Sequence, residues 1–173
     1  MTDELYAYVR RHNYESYIAA LLTKDPAAQR HVMAVLALRC ELEHILHATR
    51  EPMMGLMRLA WWREKIAEIY QSTFKQKQPT LEAIDIFVSD RQPPKKLLDG
   101  LLDAAGDAVE GKEGGFEPVL RELIGIAIGG SPSKTLSFLD FLERKRIKKA
   151  SKNKGDGIGW LPFRALLFDL LTK

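Results

Sequence analysis

Residues 25–48 read DPAAQRHVMAVLALRCELEHILHA, and this stretch decides the fold class. Asp25 is a favourable helix N-cap, and Pro26 suits the first helical position because the N–H that proline lacks would have no intrahelical partner there. From Ala27 the stretch runs to Ala48 without a glycine or a further proline. At 100° per residue its apolar side chains cover most of the circumference, which predicts a helix enclosed by other helices.

The flanking segments predict further helices. Glu51-Pro52 repeats the start signal, and Thr80–Ser89, which is rich in Ile and Val, fits a helix or a strand, with its neighbours favouring helix. The expected helices are Thr2 to Arg11, Tyr17 to Leu22, Ala27 to Ala48, Met53 to Phe74, Thr80 to Ser89, Pro93 to Val109, Pro118 to Ile128, Lys134 to Lys149 and Leu161 to Leu171. We therefore expect an all-α, single-domain helical bundle over residues 1–173, with a basic, glycine-rich connector at about 144–159 and a short C-terminal helix.

Charge is concentrated in one late segment. The 173 residues carry 26 basic and 23 acidic side chains, a net charge of +3. Between Glu143 and Lys154 there are seven basic residues against the single acid Glu143, so this window is +6 and the remainder is −3. Because the chain outside this window is mildly acidic, its charge argues against nucleic-acid binding. The basic run is either a solvated helix end or a membrane or partner surface, with candidate residues Arg144, Lys145, Arg146, Lys148 and Lys149.

Cysteine content and hydropathy indicate the compartment. Cys40 is the single cysteine, so no intramolecular disulfide can form, and its place in mid-helix on an apolar stripe indicates a structural role. The first fifteen residues lack the apolar run of a signal peptide, and no apolar run approaches the roughly 20 residues of a membrane span. We expect a cytoplasmic or matrix-equivalent protein, with peripheral association at an inner membrane as a further hypothesis.

Two ionisable residues lie on an apolar stripe of the central helix. Glu43 and His47 fall within about 80° of Val32, Leu36 and Cys40, so both should face an interior or a cavity. At i, i+4 spacing they could reach one ion or one phosphate. Alternatively, Glu43 forms an internal pair with a histidine or with Arg39.

Two further groups could hold an anion or a divalent cation. Arg63 lies on the stripe of Leu56 and Leu59, where it could bind an anionic group or form an internal pair. The carboxylates Asp99, Asp103 and Asp107 follow at i, i+4, i+8, a spacing that could share a divalent cation or mark a solvated face.

The N-terminal half resembles the squalene/phytoene synthase family. The resemblance rests on YESY at 14–17, on residues 30–47, on EPMMGLMRLAWWR at 51–63 and on Ile69-Tyr70, and it returns at Leu161-Pro162. It is closest to the branch that includes a mitochondrial complex I assembly factor. The resemblance implies the all-α isoprenoid-synthase fold and, in the family's enzymes, two aspartate-rich motifs that bind Mg²⁺ and the diphosphates of two prenyl substrates.

The family motifs are altered in this chain. The first motif falls on Glu43, His44 and His47, and the arginine expected just upstream meets Cys40, with Arg39 beside it. Imidazole is a poor replacement for an oxygen ligand of Mg²⁺. The second motif should follow Gly130, where Asp140 and Glu143 are three positions apart and lead directly into the basic run.

Three hypotheses follow from these motifs. The first is a degenerate, non-catalytic member that acts in respiratory complex I assembly or binds a lipid or prenyl ligand. The second is an active head-to-head prenyl-diphosphate synthase, a Mg²⁺-dependent transferase with candidate ligands Glu43, His47, Asp99, Asp103 and Asp107 and candidate diphosphate-binding residues Arg39 and Arg63. The third is a helical interaction domain without a ligand. Mg²⁺ is expected if a diphosphate is bound, and no cofactor otherwise.

Overall fold

The structure, a computed structural model, describes residues 2–48, 51–112 and 115–130. These residues form seven α-helices and no strand, so the predicted all-α fold is confirmed. The helices are α1 (Thr2–His12), α2 (Tyr14–Leu21), α3 (Pro26–Ala48), α4 (Pro52–Tyr70), α5 (Pro79–Arg91), α6 (Lys95–Val109) and α7 (Glu117–Ala127). The segment 80–89, which could have been a strand, is helical.

Helix α3 is the centre of the bundle. It contacts each of the other six described helices, and every residue from His31 to Cys40 is buried. Asp25 caps the start of α3, as predicted. Its carboxylate accepts hydrogen bonds from the backbone N–H groups of Ala28 at 3.0 Å and Ala27 at 3.3 Å. These bonds stabilise the carboxylate and lower the pKa of Asp25. The prediction of an enclosed central helix is therefore confirmed.

Helix α4 is shorter than its sequence predicts. The expected end was Phe74, but the helix ends at Tyr70, and Ser72 adopts a left-handed conformation with φ of 57°. The N–H of Thr73 bonds to the carbonyl of Glu68, and that of Ser72 bonds to the carbonyl of Ile69, both at 3.0 Å. This is a Schellman-type end, which satisfies the last carbonyls and turns the chain toward α5.

Gly55 lets α4 and α6 approach closely. Gly55 is buried, and a Cβ added there would lie 3.2 Å from both methyl groups of Val109. A Cβ on Gly106 of α6 would make only an ordinary contact with Leu59, at 4.0 Å. The helices are thereby held side by side along the surface where Arg63 and the aspartates of α6 lie.

Several predictions concern residues beyond Gly130. The helices expected at Lys134–Lys149 and Leu161–Leu171, the connector at 144–159 and the basic run lie outside the described residues. The single-domain organisation of the whole chain therefore stays a prediction. Within the part of the chain that the structure describes, no helix combines the length and apolar character that crossing a bilayer requires.

Candidate functional site

Arg39 connects the central helix to α7. Its side chain is only 5% exposed, its Nε donates to Oε1 of Glu43 at 2.9 Å, and its Nη2 lies 3.2 Å from Oε1 of Glu117. Of the two alternatives for Glu43, the internal pair with Arg39 is thus present in the structure. A buried guanidinium needs such partners, because an uncompensated buried charge is strongly destabilising.

His47 does not share the interior position of Arg39. The sequence predicts that it faces an interior or a cavity, and this prediction is wrong, because His47 is exposed. Burial on α3 is continuous only as far as Cys40, and the last turn of the helix reaches the surface after Ile45. The helical periodicity gave the right stripe, but it could not show where neighbouring helices stop covering it.

Arg63 and two aspartates of α6 lie together. Nη2 of Arg63 is 2.7 Å from Oδ1 of Asp103, and Nη1 is 3.8 Å from Oδ1 of Asp99. Asp99 also accepts from Lys95 at 2.8 Å, and Asp107 is 3.4 Å from the ammonium group of Lys112. All three carboxylates are therefore paired with cationic side chains.

A groove between α4 and α6 contains part of this cluster. Its volume is about 480 Å³, and Leu56, Leu59 and Leu102 line it together with Arg63 and Asp103. Glu43 and His47 do not line this groove. The structure thus assembles Arg63 and the α6 carboxylates on one surface and places Arg39 with Glu43 at the contact between α3 and α7.

The described residues do not by themselves form the predicted Mg²⁺ site. Within residues 2–48, 51–112 and 115–130, no three His, Cys, Asp or Glu side chains are placed to hold one metal ion. Glu43 is bonded to Arg39, and Asp99, Asp103 and Asp107 have cationic partners. Binding of Mg²⁺ with a diphosphate therefore stays a prediction.

A buried histidine network escaped the sequence analysis. His31 is 3% exposed, and its Nδ1 accepts a hydrogen bond from Nε of Arg91 at 3.3 Å. Because arginine can only donate, Nε2 of the neutral ring carries the proton and donates to Asp90 at 3.0 Å. The partners are 59 and 60 positions from His31, so no local pattern in the sequence could reveal this link between α3 and α5.

Burial suppresses the acidity of Cys40. Desolvation, followed by the nearby Glu43 carboxylate, raises the pKa of the Cys40 thiol to about 12. The thiol therefore stays protonated at neutral pH, and a protonated thiol is neither a good nucleophile nor a metal ligand. The structural role predicted for this cysteine is consistent with its burial.

The comparisons with known proteins agree with this helical architecture. The family model for squalene/phytoene synthase matches residues 9–117, which include Arg39, Glu43, Arg63 and Glu117. A Mus musculus protein described as NADH dehydrogenase (ubiquinone) complex I, assembly factor 6, is 35% identical over 63 residues. That alignment covers 36% of this chain and 18% of the mouse protein, and no solved structure matches. Because the family model covers more than half of its residues, the chain belongs to the squalene/phytoene synthase family.

Proposed function

We propose that this chain is a non-catalytic member of the squalene/phytoene synthase family that acts in the assembly of respiratory complex I. The contact between Arg39 and Glu43 carries the proposal. Glu43 occupies the leading position of the first metal motif implied by the family resemblance, but its carboxylate is bonded to a buried arginine that also contacts Glu117. Because its Oε1 accepts a hydrogen bond from a buried guanidinium, this carboxylate contributes to the contact between helices, which supports a structural use of Glu43.

The similarity to a complex I assembly factor supports the biological part of the proposal. The aligned segment is short relative to that protein, since it spans 18% of its length. The role in assembly and the association with complex I subunits are therefore proposals for this chain. The basic run from Arg144 to Lys149 would supply a surface for a partner or for anionic lipid at the inner membrane.

The groove between α4 and α6 would suit a lipid or prenyl ligand. Its leucine lining can contact a hydrocarbon chain, while Arg63 at the same surface can bind an anionic head group. Binding would require Arg63 to exchange its contact with Asp103 for the ligand. Because both side chains are substantially exposed, this exchange costs little.

Two measurements test the proposal together. The purified chain is incubated with farnesyl or geranylgeranyl diphosphate and Mg²⁺, and release of pyrophosphate is followed; we expect none. In parallel, the gene is deleted in cells that contain complex I, and NADH:ubiquinone oxidoreductase activity is measured; we expect a decrease. Pyrophosphate release that is lost in Glu43→Gln, with normal complex I in the deletion strain, would instead establish the synthase hypothesis.

A further inference from the structure

A second groove lies where α4 and α5 end, and neither the metal motifs implied by the family resemblance nor the proposed function uses it. Its volume is about 460 Å³, within the range of small-molecule sites. Tyr70, Ser72 and Phe74 line it from the end of α4 and the following segment. Asp85 and Ser89 line it from α5, four positions apart and therefore on one face of that helix. We call it the helix-end groove.

Asp85 is the distinctive group in the helix-end groove. It is half-buried, and within the described residues it has neither a hydrogen bond nor an ion pair. This sets it apart from Asp90, Asp99, Asp103 and Asp107, each of which is paired with a basic side chain. The described lining of the groove holds no lysine, arginine or histidine that could neutralise Asp85.

The ends of two helices add negative potential to the same groove. Helix α4 ends at Tyr70 and α5 ends at Arg91, and residues directly after both ends, Ser72 and Gln92, line the groove. The C-terminus of a helix carries a partial negative charge, which stabilises a cation nearby. The Arg91 side chain is bonded to His31 and is not among the lining residues.

The shape of the groove is fixed by its backbone. Ser72 and Gln92 both adopt left-handed conformations, with φ of 57° and 48°. The hydroxyl of Tyr70 donates to the carbonyl of Pro93 at 2.7 Å, which ties the end of α4 to the segment after α5. Both residues lie at helix C-termini, where a left-handed residue is a common way to end a helix and turn the chain.

We propose that the helix-end groove binds a small soluble ligand that carries a primary ammonium group beside an apolar part. Asp85 accepts the charge-assisted hydrogen bond from the ammonium group, and the hydroxyls of Ser72 and Ser89 can accept its other N–H groups. Ile69, Val88 and the aromatic side chains of the lining contact the apolar part. This inference does not rest on the proposed function, because Arg39 and Glu43 take no part in it.

The test compares a charged probe with a neutral one of the same shape. Phenethylamine and 2-phenylethanol are titrated into the full chain, with binding followed by calorimetry and by backbone amide shifts. We expect the amine to bind at least about tenfold more tightly than the alcohol, and to shift the amides of residues lining the groove. Equal affinity for the two probes, or no binding of the amine, would overturn the proposal.

Two variants with the same change in charge locate the site. Asp85→Asn should weaken binding of phenethylamine at least about tenfold and leave the weak binding of 2-phenylethanol unchanged. Glu122→Gln removes one negative charge from an exposed position on α7 that does not line the groove, and it should bind the amine as the wild type does. An equal loss in both variants would mean that net charge alone attracts the amine, and the assignment of Asp85 would be wrong.

Discussion

At the scale of single residues, Arg39 and Arg63 show how burial decides the role of an arginine. Both are paired with two carboxylates, but the side chain of Arg39 is 5% exposed and that of Arg63 is 45% exposed. Water can replace the partners of Arg63, whereas it has little access to Arg39. The sequence predicts an internal pair or an anion-binding role for either arginine and does not distinguish them, because the covering helices come from distant parts of the chain.

Replacing these two arginines should therefore have unequal effects on stability. Arg39→Ala leaves a cavity and separates α3 from Glu117, so we expect a loss of about 2–4 kcal/mol in the free energy of unfolding. Arg63→Ala removes a half-exposed pair and should cost less than about 1 kcal/mol. Urea unfolding followed by circular dichroism measures both. Similar losses in the two variants would show that Arg39 does not act as an internal link.

At the scale of helices, three starts were predictable to within one residue, whereas α2 begins at Tyr14, three residues before the expected Tyr17. Helices α3, α4 and α7 begin within one residue of the expected positions. Each start is marked in the sequence by a proline in the first helical turn, at Pro26, Pro52 and Pro118. The end of α4 was misplaced because no glycine or proline marks it. Ser72 takes the left-handed position that glycine usually occupies, and a serine gives no such signal in a sequence.

The left-handed serine should be suboptimal for stability. Ser72→Gly relieves the steric cost of the positive φ, and we expect a gain of about 0.5–1 kcal/mol. The matched control is Ser89→Gly inside α5, which should lose about 0.5 kcal/mol because glycine is a poor helix former. Thermal or urea unfolding of the two variants measures the difference. A loss of stability in Ser72→Gly would contradict the strain assigned to this helix end.

Two helical glycines should respond in opposite ways to an added side chain. A Cβ on Gly125 of α7 meets nothing within 4 Å, so Gly125→Ala should gain about 0.5–1 kcal/mol from helix propensity. Gly55→Val should be destabilising by about 1–3 kcal/mol, because the Cβ already lies 3.2 Å from the Val109 methyl groups. Introducing Val109→Ala should recover part of that loss in a double-mutant cycle. No recovery would show that α4 and α6 are not held together at this point.

At the scale of the whole molecule, the bundle and its central helix were predictable, and the pairing of charges was not. Hydrophobic periodicity identified α3 as enclosed, but the partners of His31 and one partner of Arg39 are at least 59 positions away in the sequence. The carboxylates Asp99, Asp103 and Asp107 were correctly placed on one helix. The pairing of Asp99 and Asp103 with Arg63 depends on the packing of α4 against α6. Such pairings require the tertiary structure.

The buried thiol predicts how the molecule responds to alkaline pH. In the folded state the pKa of Cys40 is about 12, whereas an unfolded cysteine titrates near 8.5. Above about pH 9 the unfolded chain therefore binds fewer protons than the folded one, so stability falls as pH rises, by up to about 1.4 kcal/mol per pH unit. Urea unfolding at pH 7.5, 9 and 10 should show a steeper decline for the wild type than for Cys40→Ala. Equal slopes would contradict the burial of the thiol.

The central claim is that Glu43 stabilises the bundle and does not serve catalysis. The most direct measurement is complementation: a strain lacking the gene receives the wild type or Glu43→Gln at equal protein abundance, and complex I activity is measured. Glutamine keeps an oxygen that can accept from Arg39 but cannot serve as an anionic Mg²⁺ ligand. We predict that both proteins restore complex I activity to the same level. Restoration by the wild type and failure of an equally abundant, folded Glu43→Gln protein would contradict the claim.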